Sequence, residues 1–133
     1  MNSSRFTNTI DIYSTKRQIL CNDMNGKQKL FCIVFRKNKY CVYGFGINKY
    51  NIDKKFNTIH AEVDAALNCP FQKKNITVDV FVGRINNKGT RYLMAKPCNN
   101  CVKQLYYILN KKNYKINRIY YTLQTGIIAF VKN

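Results

Sequence analysis

The sequence predicts a single α/β domain over residues 1–133, with a central mixed sheet of about five strands and helices packed against it. Three observations lead there. Short β-branched and aromatic runs alternate with segments of helical apolar spacing. The last two strand-like runs are separated only by "LQTG", and a parallel pair needs a crossover of about a dozen residues or more, so these strands must be antiparallel. Finally, 133 residues at 46% hydrophobic content suffice for one core, and no repeat, low-complexity tract or linker divides them.

Taken in order, residues 9–21 carry Ile10, Tyr13, Arg17, Ile19 and Leu20 at loosely helical spacing. "KLFCIVF" (29–35) and "KYCVYGFGI" (39–47) flank a charged turn and read as a hairpin. From Thr58 the period changes: Ile59, Val63, Ala66 and Leu67 form a helical stripe, with Asn57 or Thr58 as cap and Pro70 just beyond its end. "TVDVFVGRI" (77–85) is a strand with Val78, Val80 and Val82 on one face. "NNKG" (86–89) is a turn, and "TRYLMA" extends the strand system. Pro97 opens a second helix whose buried stripe is Cys98, Val102, Leu105 and Leu109. "RIYYT" (118–122) and "IIAFV" (127–131) close the chain as the antiparallel pair.

The apolar runs are too short to span a bilayer, and the first ten residues show no secretory pattern. The expectation is a cytoplasmic or nuclear protein with no membrane partner. The six cysteines then read as reduced thiols, with Cys32 and Cys41 as small buried hydrophobes. Cys21 and Cys69 lie near element ends and take no role. Net charge is +17, from 23 basic and 6 acidic residues, and the scarcity of acids points to a polyanionic partner. Basic clusters fall at 36–39, 53–55, 72–74 and 110–115, each of which alone is an ordinary solvated face.

"HAEVDAALN" starts at the chain's only histidine, His60, and contains its only glutamate, Glu62. Mid-helix, residues two apart diverge; at a first turn both can converge on a site beyond the helix end. "PCNNC" (97–101) puts Cys98 and Cys101 three apart in the first turn of the second helix, where the positive helix end favours thiolates. Two thiolates and one imidazole hold Zn²⁺ with a fourth position open, the pattern of a catalytic site. Zinc lowers the pKa of water it binds, and Glu62 is placed to take a proton from that water and deliver it to a departing amine. A lone C-x-x-C also serves redox chemistry or a structural knuckle, and Asp64 reads as a helix N-terminal charge.

H-x-E followed by P-C-x-x-C is the signature of zinc base deaminases, and "HAE" with "PCNNC" carries it here. The chain resembles the zinc-dependent cytidine deaminase superfamily (the CMP/dCMP-type deaminases) along nearly its whole length. That resemblance implies the cytidine deaminase-like three-layer fold, with His60, Cys98 and Cys101 as zinc ligands and Glu62 as proton shuttle. It further implies Asn48, in "GFGIN", as a substrate contact, and Ala61 as a pocket wall through its backbone. A polar turn residue is the competing reading of Asn48.

On substrate the features conflict. Members reading "HAE" often act on nucleotides or tRNA adenosine, whereas free cytidine deaminases usually read "CAE". Yet the nucleotide and tRNA groups typically place a helix between the last two strands, and this chain has only "LQTG". A closing hairpin resembles the division of free cytidine deaminases, plant RNA-editing deaminases and bacterial toxin deaminases. Charge favours a polynucleotide, whose many phosphates match 23 cations. Ten tyrosines and eight phenylalanines offer stacking surfaces, although most fall inside strand runs. The first expectation is therefore deamination of cytosine, ahead of adenine, within single-stranded DNA or RNA. The alternatives are a CMP, dCMP or cytidine deaminase of the nucleotide pool, and a non-catalytic zinc-stabilised module that binds nucleic acid.

Overall fold

The computed structural model describes residues 10, 12, 29–37, 41–50, 58–85, 91–124 and 128–131. In chain order the elements are β1 (Lys29–Arg36), β2 (Val42–Ile47), β3 (Lys49–Tyr50), β4 (Thr58–Ile59), α1 (Ala61–Asn68), β5 (Ile76–Ile85), β6 (Tyr92–Leu93), α2 (Asn99–Lys111), β7 (Tyr114–Thr122) and β8 (Ile128–Phe130). The main sheet runs β2-β1-β5-β7-β8, with β6 paired to the end of β5; β3 and β4 make a separate ladder. β1 is antiparallel to both β2 and β5, β5 and β7 are parallel, and β7 and β8 are antiparallel. The closing pair thus has the direction that its short connection imposes. The sheet has six strands, one more than expected, because "TRYLMA" contributes the separate strand β6.

Alternation along the strands makes two unlike faces. Cys32, Val34, Val78, Val80 and Val82 face α1 and α2, meeting Ala61, Ala65, Leu105 and Leu109. Phe31, Ile33, Phe35, Phe81 and Tyr120 face the other way and cover Ile10, which is helical along with Ile12. The rest of the helix expected at 9–21 lies outside the described residues, as do Cys21 and the basic cluster at 53–55. Strand β7 would lose this alternation without a bulge at Asn117, where the pairing steps from Val78–Ile116 to Asp79–Arg118. The extra residue lets both Ile116 and Ile119 face the helices. Buried Asp79 pins the bulge by accepting from Asn117 Nδ2 at 3.0 Å and from the Arg118 N–H at 3.1 Å.

α1 lies unusually close to the sheet. On the helix face β2 presents Gly44 and Gly46, opposite Val34 and Cys32. A Cβ on Gly46 would collide with the Ala61 carbonyl and the Ala65 amide, and one on Gly44 with the Ala65 carbonyl and Cys69 Sγ. The small side chains of α1 and the bare backbone of β2 therefore fix this contact.

Four expectations are corrected. The first helix starts at Ala61, with His60 as its N-cap position, instead of near Thr58. β-branched Thr58 and Ile59 pair with Tyr50 and Lys49 as β4. Its buried face is Ala61, Glu62, Asp64, Ala65 and Ala66, while Leu67 is exposed. The second helix starts at Asn99 with Cys98 as N-cap, so its stripe is Cys101, Leu105 and Leu109, and Cys98 is exposed. Cys41 is exposed and not a buried hydrophobe, because it precedes β2 at the end of the charged turn; Cys32 is buried.

The cluster at 110–115 is not a uniformly solvated face, since Lys112 is buried at the foot of α2. Its Nζ donates to the Ala66, Leu67 and Cys69 carbonyls at 3.1, 2.7 and 2.7 Å, capping the C-terminus of α1. Among the described residues, no helix is long and apolar enough to cross a membrane.

Candidate active site

Helix α1 leads into β5, and α2 connects β5 to its parallel neighbour β7. Each helix must run back against the strands, so both N-termini come to the carboxyl ends of β5 and β7. That is where open α/β sheets form their binding crevices. A cavity of about 230 Å³ opens there. His60, Glu62, Cys98 and Cys101 all line it, joined from the sheet by Leu30, Val82 and Arg84 and from the loop before α2 by Lys96. Residues 36 or more positions apart in the chain thus share one wall.

The two sulfurs are hydrogen-bonded to each other at 3.2 Å, and the Cys101 backbone N–H donates to Cys98 Sγ at 3.4 Å. Those N–H and S–H donors lower the pKa of Cys98, while burial raises that of Cys101, with the Cys98 hydrogen bond and the Glu62 carboxylate adding to it. One thiolate and one thiol share a proton. Glu62 is 4% exposed and close enough to Cys101 to act on its ionisation.

Two adjacent thiols, one of them acidified, with an imidazole in the same cavity form a donor set suited to Zn²⁺. Among the described residues, no three His, Cys, Asp or Glu side chains are already gathered into a metal cage. A tetrahedral zinc with bonds of about 2.3 Å spaces its sulfurs about 3.8 Å apart. Loading the pair therefore means expelling the shared proton and opening the sulfurs by about 0.5 Å.

Asn48 and Ala61 are both buried but do not line the cavity. Asn48 Oδ1 accepts the Leu30 N–H at 3.2 Å, which anchors a residue of the cavity wall. Asp64 does more than charge a helix end: it is buried, and its carboxylate accepts the Ile47 N–H at 3.1 Å.

Two cationic wall residues, Arg84 and Lys96, escaped the sequence reading. Arg84 had a signal. It continues the Val78, Val80, Val82 face, so a charged group stands on an otherwise apolar stripe. The loop carrying Lys96 is held by Thr122, whose hydroxyl donates to the Leu93 carbonyl at 2.6 Å and whose own carbonyl accepts the Ala95 N–H at 2.9 Å. No local pattern announces that role.

No family model and no curated protein matches the chain. Among solved structures, the chain is similar to the dCMP deaminase from the cyanophage S-TIM5 in apo form, with a TM-score of 0.53 and 18% identity. The match covers 96% of this chain and 89% of that one. Strand order, the two helices behind the sheet and this similarity together establish that the chain has the deaminase-like α/β fold.

Proposed function

We propose that this chain is a zinc-dependent hydrolase that converts cytosine to uracil, releasing the amine as ammonia, and that it acts on cytosine within a single-stranded nucleic acid. The observation that carries the reading is that Glu62, both thiols of "PCNNC" and His60 line one cavity at two helix N-termini. His60, Cys98 and Cys101 are the proposed metal ligands. When bound, zinc supplies a Lewis acid that brings water to a reactive, deprotonated form near neutral pH. Glu62 takes the water's proton and passes it to the ring nitrogen and then to the leaving amine. The bond from C4 to nitrogen breaks as the bond from C4 to oxygen forms, so water is consumed and ammonia leaves. Arg84 and Lys96 add positive charge to the cavity wall and favour a phosphorylated substrate over a free nucleoside.

The second reading is a nucleotide-pool enzyme acting on CMP or dCMP. It is favoured by the similarity to a dCMP deaminase, and there the two wall cations would hold a single phosphate. The +17 net charge exceeds what one phosphate needs, which supports the polynucleotide reading.

The deciding experiment is a deamination screen of the zinc-loaded protein against cytidine, dCMP, single- and double-stranded DNA, and RNA, with Glu62→Gln alongside. Turnover in the wild type, abolished in Glu62→Gln while about one zinc per chain is retained, supports the assignment. Activity that survives Glu62→Gln overturns it. Zinc retention by Glu62→Gln without wild-type turnover of any substrate would instead indicate a zinc-stabilised binding module.

A further inference from the structure

A second cavity, of about 410 Å³, adjoins the first, and Lys96 lines both. Its other walls are Asn99 at the start of α2, Tyr121 near the end of β7, and the β8 segment from Ile128 to Val131. Strand register shows which side chains face inward. Tyr121 pairs with Ala129, and Tyr121 and Val131 pack against the helix-side core. Phe130 pairs with Tyr120 and meets its ring edge-on at 6.4 Å, on the opposite face of the sheet. The cavity therefore presents the Tyr121 ring beside the small Ala129, with the Asn99 amide able both to donate and to accept at its rim.

An aromatic plane, an amide and a cation beside a catalytic pocket are the parts with which proteins hold a single strand: bases stack, and positive charge follows the backbone. The first cavity, at about 230 Å³, has room for little beyond the reacting base. The second lies within the range of roughly 300–1,000 Å³ common to small-ligand sites. With the net charge of +17, the whole path is complementary to a polyanion.

We propose that the second cavity is a subsite for the nucleobase next to the target cytosine in single-stranded nucleic acid, with Lys96 binding the phosphate that joins the two nucleotides. This rests on the deaminase reading and gives it a substrate class. The neighbouring base stacks on Tyr121, and Asn99 contacts its edge.

The test compares kcat/KM of the zinc-loaded protein for dCMP and for single-stranded nonamers, DNA and RNA, each with one central cytosine. Ala129→Leu fills the cavity, and Tyr121→Leu removes the ring while keeping an apolar side chain. Each is expected to lower kcat/KM for the nonamer at least tenfold more than for dCMP. Equal losses on both substrates, or none on either, overturn the proposal. The stronger of the DNA and RNA arms identifies the sugar. Binding of a fluorescein-labelled nonamer to Glu62→Gln, read by anisotropy, is an independent measure. Adding Ala129→Leu, or the exposed-site change Lys96→Ala, should weaken that binding at least fivefold. Should no substrate be turned over, the deaminase reading fails, and this binding assay alone decides the subsite: equal affinity with the cavity open or filled refutes it.

Discussion

The Asp64 carboxylate accepts the Ile47 backbone N–H at 3.1 Å, tying the helix that carries Glu62 to the last residue of β2. Removing the acceptor leaves an N–H without this partner in a part-buried place, at a cost of about 1–3 kcal/mol. Asp64→Ala should lose that much stability in urea unfolding and lower kcat by shifting Glu62. Asp64→Asn keeps an acceptor oxygen and should recover most of both. Equal stability of the wild type and Asp64→Ala would show that this bond does not hold the helix.

Gly46 tests the same placement by sterics. Gly46→Ala sets a methyl group against Ala61 and Ala65, one and three residues from Glu62 along α1. Overpacking of this kind costs about 1–3 kcal/mol, and a displacement of about 1 Å at a reacting group can cost a hundredfold in rate. The variant should melt lower and lose at least tenfold in kcat/KM, measured on whichever substrate the wild type deaminates. An unchanged rate would mean that the close approach of helix and strand does not position Glu62.

Lys112 should behave as a structural cation. Lys112→Met removes three donors from the carbonyls of Ala66, Leu67 and Cys69 and should cost about 2–3 kcal/mol in chemical denaturation. Lys112→Arg should not restore it, because a planar fork cannot aim at three carbonyls grouped around one ammonium. If Lys112→Met leaves nucleic-acid affinity reduced but stability intact, Lys112 belongs to the binding surface instead.

Cys69 makes stability depend on alkaline pH. Burial pushes its thiol up to about 12, although the Lys112 ammonium pulls the other way. An unfolded thiol ionises near about 8.5. Below that, both states hold the proton and stability is full. Between the two values only the unfolded state releases it, so stability falls by about 1.4 kcal/mol per pH unit until the folded thiol ionises as well. Urea unfolding at pH 8, 9 and 10 should show the wild type losing that much more per unit than Cys69→Ala. Parallel pH profiles for the two proteins would refute the linkage.

Much of this molecule is legible in local pattern. The Val78, Val80, Val82 alternation does face the helices, and the apolar spacing of Leu105 and Leu109 does bury one side of α2. The likeness of "HAE" and "PCNNC" to a known signature singled out four side chains that line one cavity. The start of α1 was misread because Ile59 fits a helical period as well as a strand. Its pairing with Lys49 decided the matter, and that partner is ten residues away. Lys112 was misread because nothing near it in the chain reveals the carbonyls of Ala66 and Cys69.

By itself, then, the sequence determined the order of elements, the antiparallel closing pair and the set of chemically able side chains. Those follow from short-range facts: backbone period, link length and residue type. Only the tertiary structure decided that Arg84 and Lys96 share a wall with the thiols, that Asp64 holds β2, and that a second cavity adjoins the first at Lys96. Such placements are set by packing between distant segments, where volume and hydrogen-bond geometry select among arrangements that local propensity leaves equal.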